Sequence, residues 1–397
     1  MLEKIVFSKL LANAFDITTE VTYWDGSVEK YGDGEVVVRL KLNEKIRLRD
    51  LAGMPTLVLG EAYMNGDIEI EGSIQELIAS AYRQAGSFLM DQSGFGSSLT
   101  KMLSGHDKKQ SVKDVQSHYD IGNDFYKEWL DPSMTYSSAY WYRDDITLEE
   151  AQLAKVHHIL DKLNIQPGKK LLDIGSGWGT LIIIAAQEYG VESYGVTLSE
   201  EQYEFVTKRV QALGLEDKVH VVLRDYRDIK QKYDYITSVG MFEHVGKDNL
   251  ASYFKKIDDL LVPNGRALIH GITGQHYGKG VDPFIQKYVF PGGYIPNIAE
   301  NITHIMDAGL QLDDVEPLRR HYQKTLEAWT ENYHQVYDKT ATEMGLPFAR
   351  MWDLYLQASA ASFEAGNIDV IQFLMTKGAS GQALPMTRQY MTQREAK

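Results

Sequence analysis

The sequence predicts an α/β protein in which a mostly parallel sheet, covered by helices on both faces, follows a smaller α+β amino-terminal domain. A length of 397 residues suits two domains better than one. Residues 1–90 mix short strand-like runs with Gly and Asp turns, as a small sheet-rich domain does. From residue 112 onward, apolar strand-like runs alternate with helical stretches, the pattern of a parallel sheet with crossover helices.

The predicted first domain is punctuated by turns at Asp25–Gly26, at 32–34 and at 65–67. A helix is predicted over Ile74–Gln84. We interpret residues 1–90 as a small lipid- or membrane-associating domain. Residues 91–111, rich in Ser, Gly and Lys, are predicted to be a linker.

A local basic pattern lies between Val36 and Leu48, where apolar residues occupy even positions. If a tight turn at Asn43–Glu44 preserves strand pairing, period-two alternation places five cations on one sheet face: Arg39, Lys41, Lys45, Arg47 and Arg49. Two interpretations stay open. The face is either an ordinary solvated sheet surface or a patch for anionic lipid headgroups, at about 1 kcal/mol per cation.

The second domain, residues 112–397, opens with a helix predicted from apolar residues at helical spacing over 153–163, and Pro167–Gly168 ends it. Strands are predicted at Lys170–Ile174, Ser193–Thr197, Val219–Leu223, Tyr235–Val239 and Arg266–Ile272. Aromatic-rich helical sequence is predicted over Thr325–Phe373. In such sheets ligands bind beyond the carboxyl ends of the strands, so we expect the functional residues there.

Composition excludes several classes of protein. The net charge of −14 argues against a nucleic-acid-binding surface. The absence of cysteine excludes disulfides, thiolate metal sites and thiol nucleophiles. No apolar run approaches the roughly 20 residues of a membrane span, and the first residues lack a signal-peptide pattern, so we expect a cytoplasmic protein.

A glycine-rich turn follows the first predicted strand of the second domain, at 175–179. Glycines allow tight turns and let a ligand approach the backbone, so the turn favours a nucleotide-like ligand, with a close-packed strand–helix turn as the plainer alternative. A dinucleotide site would favour Gly at position 180, where Thr180 stands. Asp173 instead suits a ligand with a cationic end.

Five motifs resemble those of the cyclopropane-fatty-acyl-phospholipid synthases, in the same order: 136–141, 173–179, 195–202, 242–246 and 281–285. The resemblance covers about residues 118–373. It implies a Rossmann-like S-adenosylmethionine-dependent methyltransferase domain with helical acyl-binding additions. The amino-terminal domain resembles that of the bacterial, two-domain branch, which implies a peripheral protein at the inner face of the membrane that modifies unsaturated phospholipid acyl chains. A homodimer is also implied.

The resemblance further implies site residues. S-adenosylmethionine would be bound by Tyr136, Ser137, Asp173, Gly175, Gly177, Thr197, Leu198, Gln202 and Asp225. A bicarbonate ion would be held by the side chains of Glu243, His270 and Tyr322 and by backbone groups of Ser138 and Ile272. The chain departs from the family at Ser138 and Ser359, where cysteines are usual, so neither thiol is required for activity here.

The implied chemistry is methyl transfer to a cis double bond, which leaves a carbocation, followed by loss of a proton and ring closure. Glu243 would accept a hydrogen bond from the bicarbonate hydroxyl, and His270 and Tyr322 would donate to its oxygens. Water must be excluded from the cation. Five aromatic residues are predicted to form a dry wall, namely Tyr140, Trp141, Phe284, Tyr288 and Phe290, and residues 271–296 a hinged flap.

Several alternatives stay open. Glu243 can be read as the start of a helix, and His244 as no more than its neighbour. Metal binding by Glu243, His244 and His270 lacks a known ligand spacing, so no metal is expected. At the level of function, the alternatives are a methyltransferase for a soluble alkene or amine, and a non-catalytic protein that senses S-adenosylmethionine or scaffolds a membrane complex.

Overall fold

The structure, a computed structural model, describes residues 2–51, 53–84, 121–275, 281–378, 382 and 384–392. Contacts divide these residues into two units. The first lies within 1–104, 280–291 and 326–367, and the second within 105–279, 292–325 and 368–397. The predicted linker, 91–111, lies outside the described residues, as does the part of the predicted flap at 276–280.

The helices and strands follow one another along the chain. Up to residue 84 they are α1 (Leu2–Leu11), β1 (Thr19–Thr22), β2 (Val28–Tyr31), β3 (Val38–Leu42), α2 (Leu48–Leu51), α3 (Pro55–Asn65), β4 (Ile68–Glu71) and α4 (Ile74–Arg83). From 121 to 275 they are α5 (Asn123–Trp129), α6 (Leu148–Lys162), β5 (Lys170–Ile174), α7 (Thr180–Tyr189), β6 (Glu192–Thr197), α8 (Glu200–Leu213), β7 (Val219–Leu223), β8 (Tyr233–Val239), α9 (Leu250–Leu260) and β9 (Leu261–Gly274). After 281 they are α10 (Pro283–Tyr288), α11 (Ile298–Asp307), β10 (Leu310–Pro317), α12 (Arg319–Met344), α13 (Leu346–Glu364) and β11 (Ile368–Lys377). None of these helices, over the part of the chain that the structure describes, has the length and apolarity to span a membrane.

The first unit contains a four-stranded sheet in the order β2-β1-β3-β4. Strands β1 and β3 are parallel, and the other two pairs are antiparallel. Helix α13 packs against α3 and α4 within this unit. Gln75 on α4 donates to Glu327 and Glu364, both at 2.8 Å, and Arg350 on α13 donates to the Tyr63 carbonyl at 3.0 Å. The unit therefore includes segments beyond the predicted 1–90 domain.

The prediction that five cations share one sheet face is wrong. Strand β3 ends at Leu42, and no second strand follows 43–44, because the chain runs irregularly to α2. Only Arg39 and Lys41 share the exposed face of β3. Both are paired, Arg39 with Glu20 and Glu71 at 3.1 Å, and Lys41 with Glu69 at 3.5 Å. The neighbouring strands thus supply the acids that a single-strand pattern cannot reveal.

The second unit contains a seven-stranded sheet in the order β10-β11-β9-β8-β5-β6-β7. The five predicted strands are confirmed as β5 to β9, and they pair in parallel. Strand order reverses beside β5, because its neighbours are β6 on one side and β8 on the other. Such a reversal opens a crevice at the carboxyl ends of the strands, where ligands bind in doubly wound sheets.

The prediction of helix through Phe373 is wrong at its carboxyl end. Helix α13 ends at Glu364, Gly366 adopts a positive φ of 78°, and β11 begins at Ile368. Eight of the ten residues of β11 are buried, because one face packs in an apolar cluster through Ile371, Phe373 and Met375 and the other packs in a second cluster through Leu374. A strand buried on both faces has no alternation, so its apolar run could not be distinguished from helix. Strand β10, with Asp313 and Asp314 in its middle, also went unpredicted.

Candidate active site

The loop after β5 is shaped by glycines. Gly175, Gly177 and Gly179 have φ values of 81°, 52° and 86°, which side-chain-bearing residues rarely adopt. A Cβ on Gly175 would approach Met241 Cγ to 2.9 Å, whereas one on Gly177 would meet open space. Helix α7 starts directly after the loop, at Thr180. The turn therefore brings backbone and the first turn of a helix up to an open cavity.

This cavity lies at the carboxyl edge of the sheet and has an empty volume of about 1210 Å³, including the open solvent at its mouth. All nine residues proposed from the sequence to bind S-adenosylmethionine line it: Tyr136, Ser137, Asp173, Gly175, Gly177, Thr197, Leu198, Gln202 and Asp225. They come from four separate segments of the second unit. The structure therefore brings the whole predicted set together around one space.

Asp173, near the end of β5, is only 3% exposed. The Thr237 hydroxyl on neighbouring β8 donates to its Oδ1 at 2.8 Å. Burial raises the pKa of the Asp173 carboxyl to about 6, and the Thr237 hydrogen bond and the positive charge of Lys155 oppose that rise. At neutral pH the carboxylate is therefore ionised and can receive a cationic group.

Lys155 on α6 also lines the cavity, and the sequence analysis missed it. Its side chain is almost fully buried, and its ammonium donates to Ser137 Oγ at 2.7 Å. Burial lowers the pKa of Lys155 to about 8, against the opposing charges of Asp131 and Asp173. One signal was available, because Gln152 and Lys155 stand three residues apart within the apolar face of the predicted helix.

Three further polar residues of the cavity, Thr197, Gln202 and Asp225, are held by hydrogen bonds or an ion pair. Thr197 donates to Gln202 Oε1 at 2.8 Å, and the Ser199 backbone N–H donates to Thr197 Oγ1 at 3.1 Å. Asp225 forms an ion pair with Arg227, with 2.6 Å between Oδ2 and Nη2. These side chains are therefore fixed by their neighbours before any ligand arrives.

A second polar group surrounds the carboxyl end of β9. Glu243 lies in a single turn of 3₁₀ helix that follows β8, and its Oε1 accepts from the Ile272 backbone N–H at 2.7 Å. Its Oε2 is buried and has no partner among the described residues. Burial raises the pKa of Glu243 to about 7, although the Ile272 hydrogen bond opposes the rise. The Ile272 amide, proposed to bind bicarbonate, here orients Glu243.

His270 stands two residues before Ile272 on β9 and is 1% exposed. Its Nδ1 lies 3.3 Å from Nε2 of Gln372 on β11. Because an amide N–H donates, Nδ1 accepts and the ring proton is left on Nε2. That Nε2 is buried without a partner in the described structure. Burial, together with the charges of Lys155 and Lys162, holds the pKa of His270 well below its ordinary value, so the ring is neutral.

Ser138 and Tyr322, the other proposed bicarbonate residues, lie on segments that are joined by hydrogen bonds. Ser138 is fully buried, and Ala139 next to it donates from its backbone N–H to Thr325 Oγ1 at 3.0 Å. Thr325 is one turn beyond Tyr322 on α12. The chain enters α12 at Leu318, whose N–H bonds the Val370 carbonyl opposite Ile272 in the sheet. Tyr322 therefore lies in the first turn of a helix that begins next to β11, opposite the β9 residue that binds Glu243.

The predicted aromatic wall is divided between the two units. Tyr140 stacks between His158 and His321, with ring centroids 4.1 Å and 4.8 Å away, and Trp141 donates from Nε1 to Thr325 at 3.1 Å. Phe284, Tyr288 and Phe290 belong to the first unit, as does Ser359 on α13. No three His, Asp or Glu side chains within the described ranges are grouped to hold a metal ion.

Family models match most of the chain. The model described as mycolic acid cyclopropane synthetase matches residues 106–373. A second model, described as a domain of unknown function, matches residues 6–93. The first match covers more than half of the chain and includes every residue of the cavity and of the Glu243–His270 group named above.

Individual relatives match over similar spans. A probable fatty acid methyltransferase of Pseudomonas putida is 39% identical over 93% of this chain and 94% of its own. The cyclopropane-fatty-acyl-phospholipid synthase of Escherichia coli K12 is 36% identical over 81% of this chain and 84% of its own. The solved structure of mycolic acid cyclopropane synthase CmaA1 complexed with SAH and CTAB has a TM-score of 0.64 at 35% identity, covering 67% of this chain and 98% of that chain.

Proposed function

Because the chain belongs to the mycolic acid cyclopropane synthetase family, whose model matches residues 106–373, we propose that it converts cis double bonds of unsaturated phospholipid acyl chains into cyclopropane rings. It is an enzyme of the methyltransferase class with a Rossmann-like fold, and its methyl donor is S-adenosylmethionine. The observation that carries the finer proposal is that Glu243 offers a buried acceptor and His270 a buried donor, each without a partner among the described residues. Those two atoms are suited to an anion that also carries a hydroxyl.

The cavity fits S-adenosylmethionine on the chemistry of its lining. Beside Gly177 the backbone faces open space, and the buried carboxylate of Asp173 on the same cavity offers a partner for a cationic amino-acid end. Bound there, the cofactor supplies an electrophilic methyl group on a sulfonium. The side chains of Thr197, Gln202 and Asp225 are already held in place, so little side-chain conformational entropy is lost when the cofactor binds.

The Glu243–His270 group fits bicarbonate. Glu243 Oε2 would accept from the hydroxyl of that ion, and His270 Nε2–H would donate to one of its oxygens. When bound, bicarbonate supplies a base for the proton that the transferred methyl group loses and negative charge beside the carbocation. We propose that Tyr322 adds a second donor, and that the Ser138 backbone contributes as the family resemblance implies.

The protonation states support these roles. Glu243 accepts hydrogen bonds at both oxygens only as the carboxylate, and with a pKa of about 7 it is partly ionised at neutral pH. His270 stays neutral, and a neutral donor orients an anion without neutralising its charge. An imidazolium at this position would weaken the anion as a base. The low pKa of His270 therefore suits deprotonation of the methyl group.

We also propose that the enzyme meets its substrate at the membrane surface and works as a homodimer. No described helix spans a membrane, so the encounter would be peripheral. Support for contact through the first unit comes from α1, where Ile5 and Val6 are 49% and 40% exposed next to one another. The homodimer rests on the family resemblance, and sedimentation as a monomer at micromolar concentration would contradict it.

The reaction is tested with vesicles of a monounsaturated phospholipid, enzyme and S-adenosylmethionine. Mass spectrometry is expected to show one added methylene per acyl chain, and proton NMR to show a cyclopropane ring. A product of the same mass with a methyl-branched double bond or a methylene branch would support the lipid substrate but contradict ring formation. Parallel incubations with free fatty acids, soluble alkenes and amines complete the experiment, and turnover confined to those acceptors would reject the phospholipid.

A further inference from the structure

A buried lysine in the cavity is not accounted for by the reaction as proposed. Lys155 is 2% exposed, yet it lines the cavity. Among the described residues, its ammonium donates one hydrogen bond, to Ser137 Oγ. An ammonium has three donors, and burying its charge is costly unless that charge is used. Lys155 therefore carries donors that a ligand in the cavity can take up.

Another lysine on the same helix shows what a structural role looks like. Lys162, seven residues further along α6, is fully buried and forms ion pairs with Asp314 at 2.8 Å and Glu316 at 2.9 Å. Lys162 does not line the cavity. Two carboxylates thus balance its charge within the fold. For Lys155 the hydrogen-bonded group is a neutral hydroxyl; the charges of Asp131 and Asp173 act on it, but neither carboxylate accepts a hydrogen bond from it within the described structure.

The hydrogen bond to Ser137 has a direction that matters. Because the ammonium can only donate, Ser137 Oγ accepts, and the hydroxyl keeps its own proton to donate elsewhere. Ser137 also lines the cavity. A hydroxyl donor with a cation behind it is a site for a carboxylate. Asp173, on the same cavity, offers the opposite charge for a neighbouring ammonium.

We propose that Lys155 and Ser137 together bind the α-carboxylate of the cofactor's methionyl end, while Asp173 binds its α-ammonium. The inference rests on the proposed use of this cavity for S-adenosylmethionine and deepens it. The zwitterionic amino-acid end would then be recognised by two buried groups of opposite charge, Lys155 and Asp173. Nucleosides that lack the amino-acid end would not use the pair. The pKa of Lys155, about 8, keeps the ammonium mostly charged at neutral pH.

Calorimetric titration of the full-length chain with three ligands tests the assignment. S-adenosylhomocysteine carries the whole amino-acid end, its decarboxylated analogue lacks only the carboxylate, and 5′-methylthioadenosine lacks the entire end. K155M is expected to weaken S-adenosylhomocysteine about 10- to 100-fold, the usual range for a hydrogen bond to a charged group. Its affinity for the other two ligands should change less than twofold.

Three further variants complete the test. K162M is the matched control, since it removes a buried lysine from the same helix, and it should leave the ratio of the three affinities unchanged. S137A should weaken S-adenosylhomocysteine selectively, and the K155M/S137A double variant should lose less than the sum of the two. S137A also keeps the proposal falsifiable if K155M fails to fold.

The outcomes distinguish failure of the carboxylate assignment from failure of the cofactor proposal. Equal weakening of all three ligands by K155M or S137A would overturn the carboxylate assignment, as would unchanged affinity for S-adenosylhomocysteine. If the wild-type chain bound S-adenosylhomocysteine but not selectively over the decarboxylated analogue, the assignment would also fail while the cofactor proposal survived. If it bound none of the three, both would fail.

Discussion

The two polar regions at the carboxyl edge of the sheet are built differently. Around the cavity, Thr197 and Gln202 bond each other, and Asp225 is paired with Arg227. At the end of β9, Glu243 Oε2 and His270 Nε2 are buried and unpartnered within the described part of the chain. In the first region these pairs hold the side chains in place, and Lys155 keeps donors for the ligand. The second is complementary to something that the protein does not contain.

Unpaired buried polar atoms are costly, at about 1–3 kcal/mol each, and folded proteins avoid them. Glu243, bound to the Ile272 N–H of β9, offers an acceptor, and His270, two residues before Ile272, offers a donor. A small ion with both kinds of group can satisfy the two together. The difference supports the proposal that the cavity holds a large ligand by shape and fixed polar groups, whereas the Glu243–His270 group would bind a small ion through its unpaired buried atoms.

The largest effect is expected from E243Q. The amide keeps the acceptor toward the Ile272 N–H but loses the charge and presents donors where the carboxylate offered an acceptor. Turnover should fall about 100- to 1,000-fold, the usual loss for a preorganised electrostatic contact. Calorimetry should show unchanged affinity for S-adenosylhomocysteine. A matching loss of cofactor affinity would mean that the two regions are not separate.

The same substitution should stabilise the fold at alkaline pH. The pKa of Glu243 is raised from 4.5 to about 7, so its contribution to stability is present below pH 4.5 and is lost as pH rises through 7. At pH 8 the wild type retains a buried charge that E243Q lacks, and the variant should be more stable by about 3 kcal/mol. Thermal unfolding at pH 8 and pH 4.5 measures the difference. An equal gain at both values would contradict this cause.

A smaller effect is expected from Q372L, which removes the donor to His270 Nδ1. The ring would no longer be restricted to the tautomer with its proton on Nε2, so turnover should fall about 10-fold, near the cost of one hydrogen bond. NMR of ¹⁵N-histidine-labelled protein should show a fixed tautomer in the wild type and a mixture in the variant. An unchanged histidine spectrum alongside reduced turnover would show that Gln372 acts by packing alone.

The smallest effect is expected from reversing Arg39 and Lys41. Both cations are already paired with acids on neighbouring strands, so they add little net positive charge. R39E/K41E should change sedimentation with anionic vesicles less than twofold. I5D/V6D, which alters the exposed residues of α1, should reduce it more. A loss of vesicle binding in R39E/K41E alone would restore the basic face as the membrane contact.

The sequence was sufficient for the cavity because its residues come from local motifs. A few consecutive residues are enough to recognise the glycine turn, Asp173 and the segment from Thr197 to Gln202. The partner of His270 could not be found that way, because Gln372 lies 102 residues later on a strand that was predicted to be helical. Lys155 was not identified because its helix was predicted from its apolar residues alone, although the buried polar pair of Gln152 and Lys155 gave a signal. The acids that neutralise Arg39 and Lys41 also come from other strands.

The most direct test of the account is the dependence of turnover on bicarbonate, measured on unsaturated phospholipid vesicles in buffer freed of carbon dioxide. The wild-type rate should rise and saturate with added bicarbonate, whereas E243Q and H270A should show little response. Affinity for S-adenosylhomocysteine, measured in parallel, should be independent of bicarbonate. A wild-type rate that does not change with bicarbonate would contradict the role assigned to Glu243 and His270.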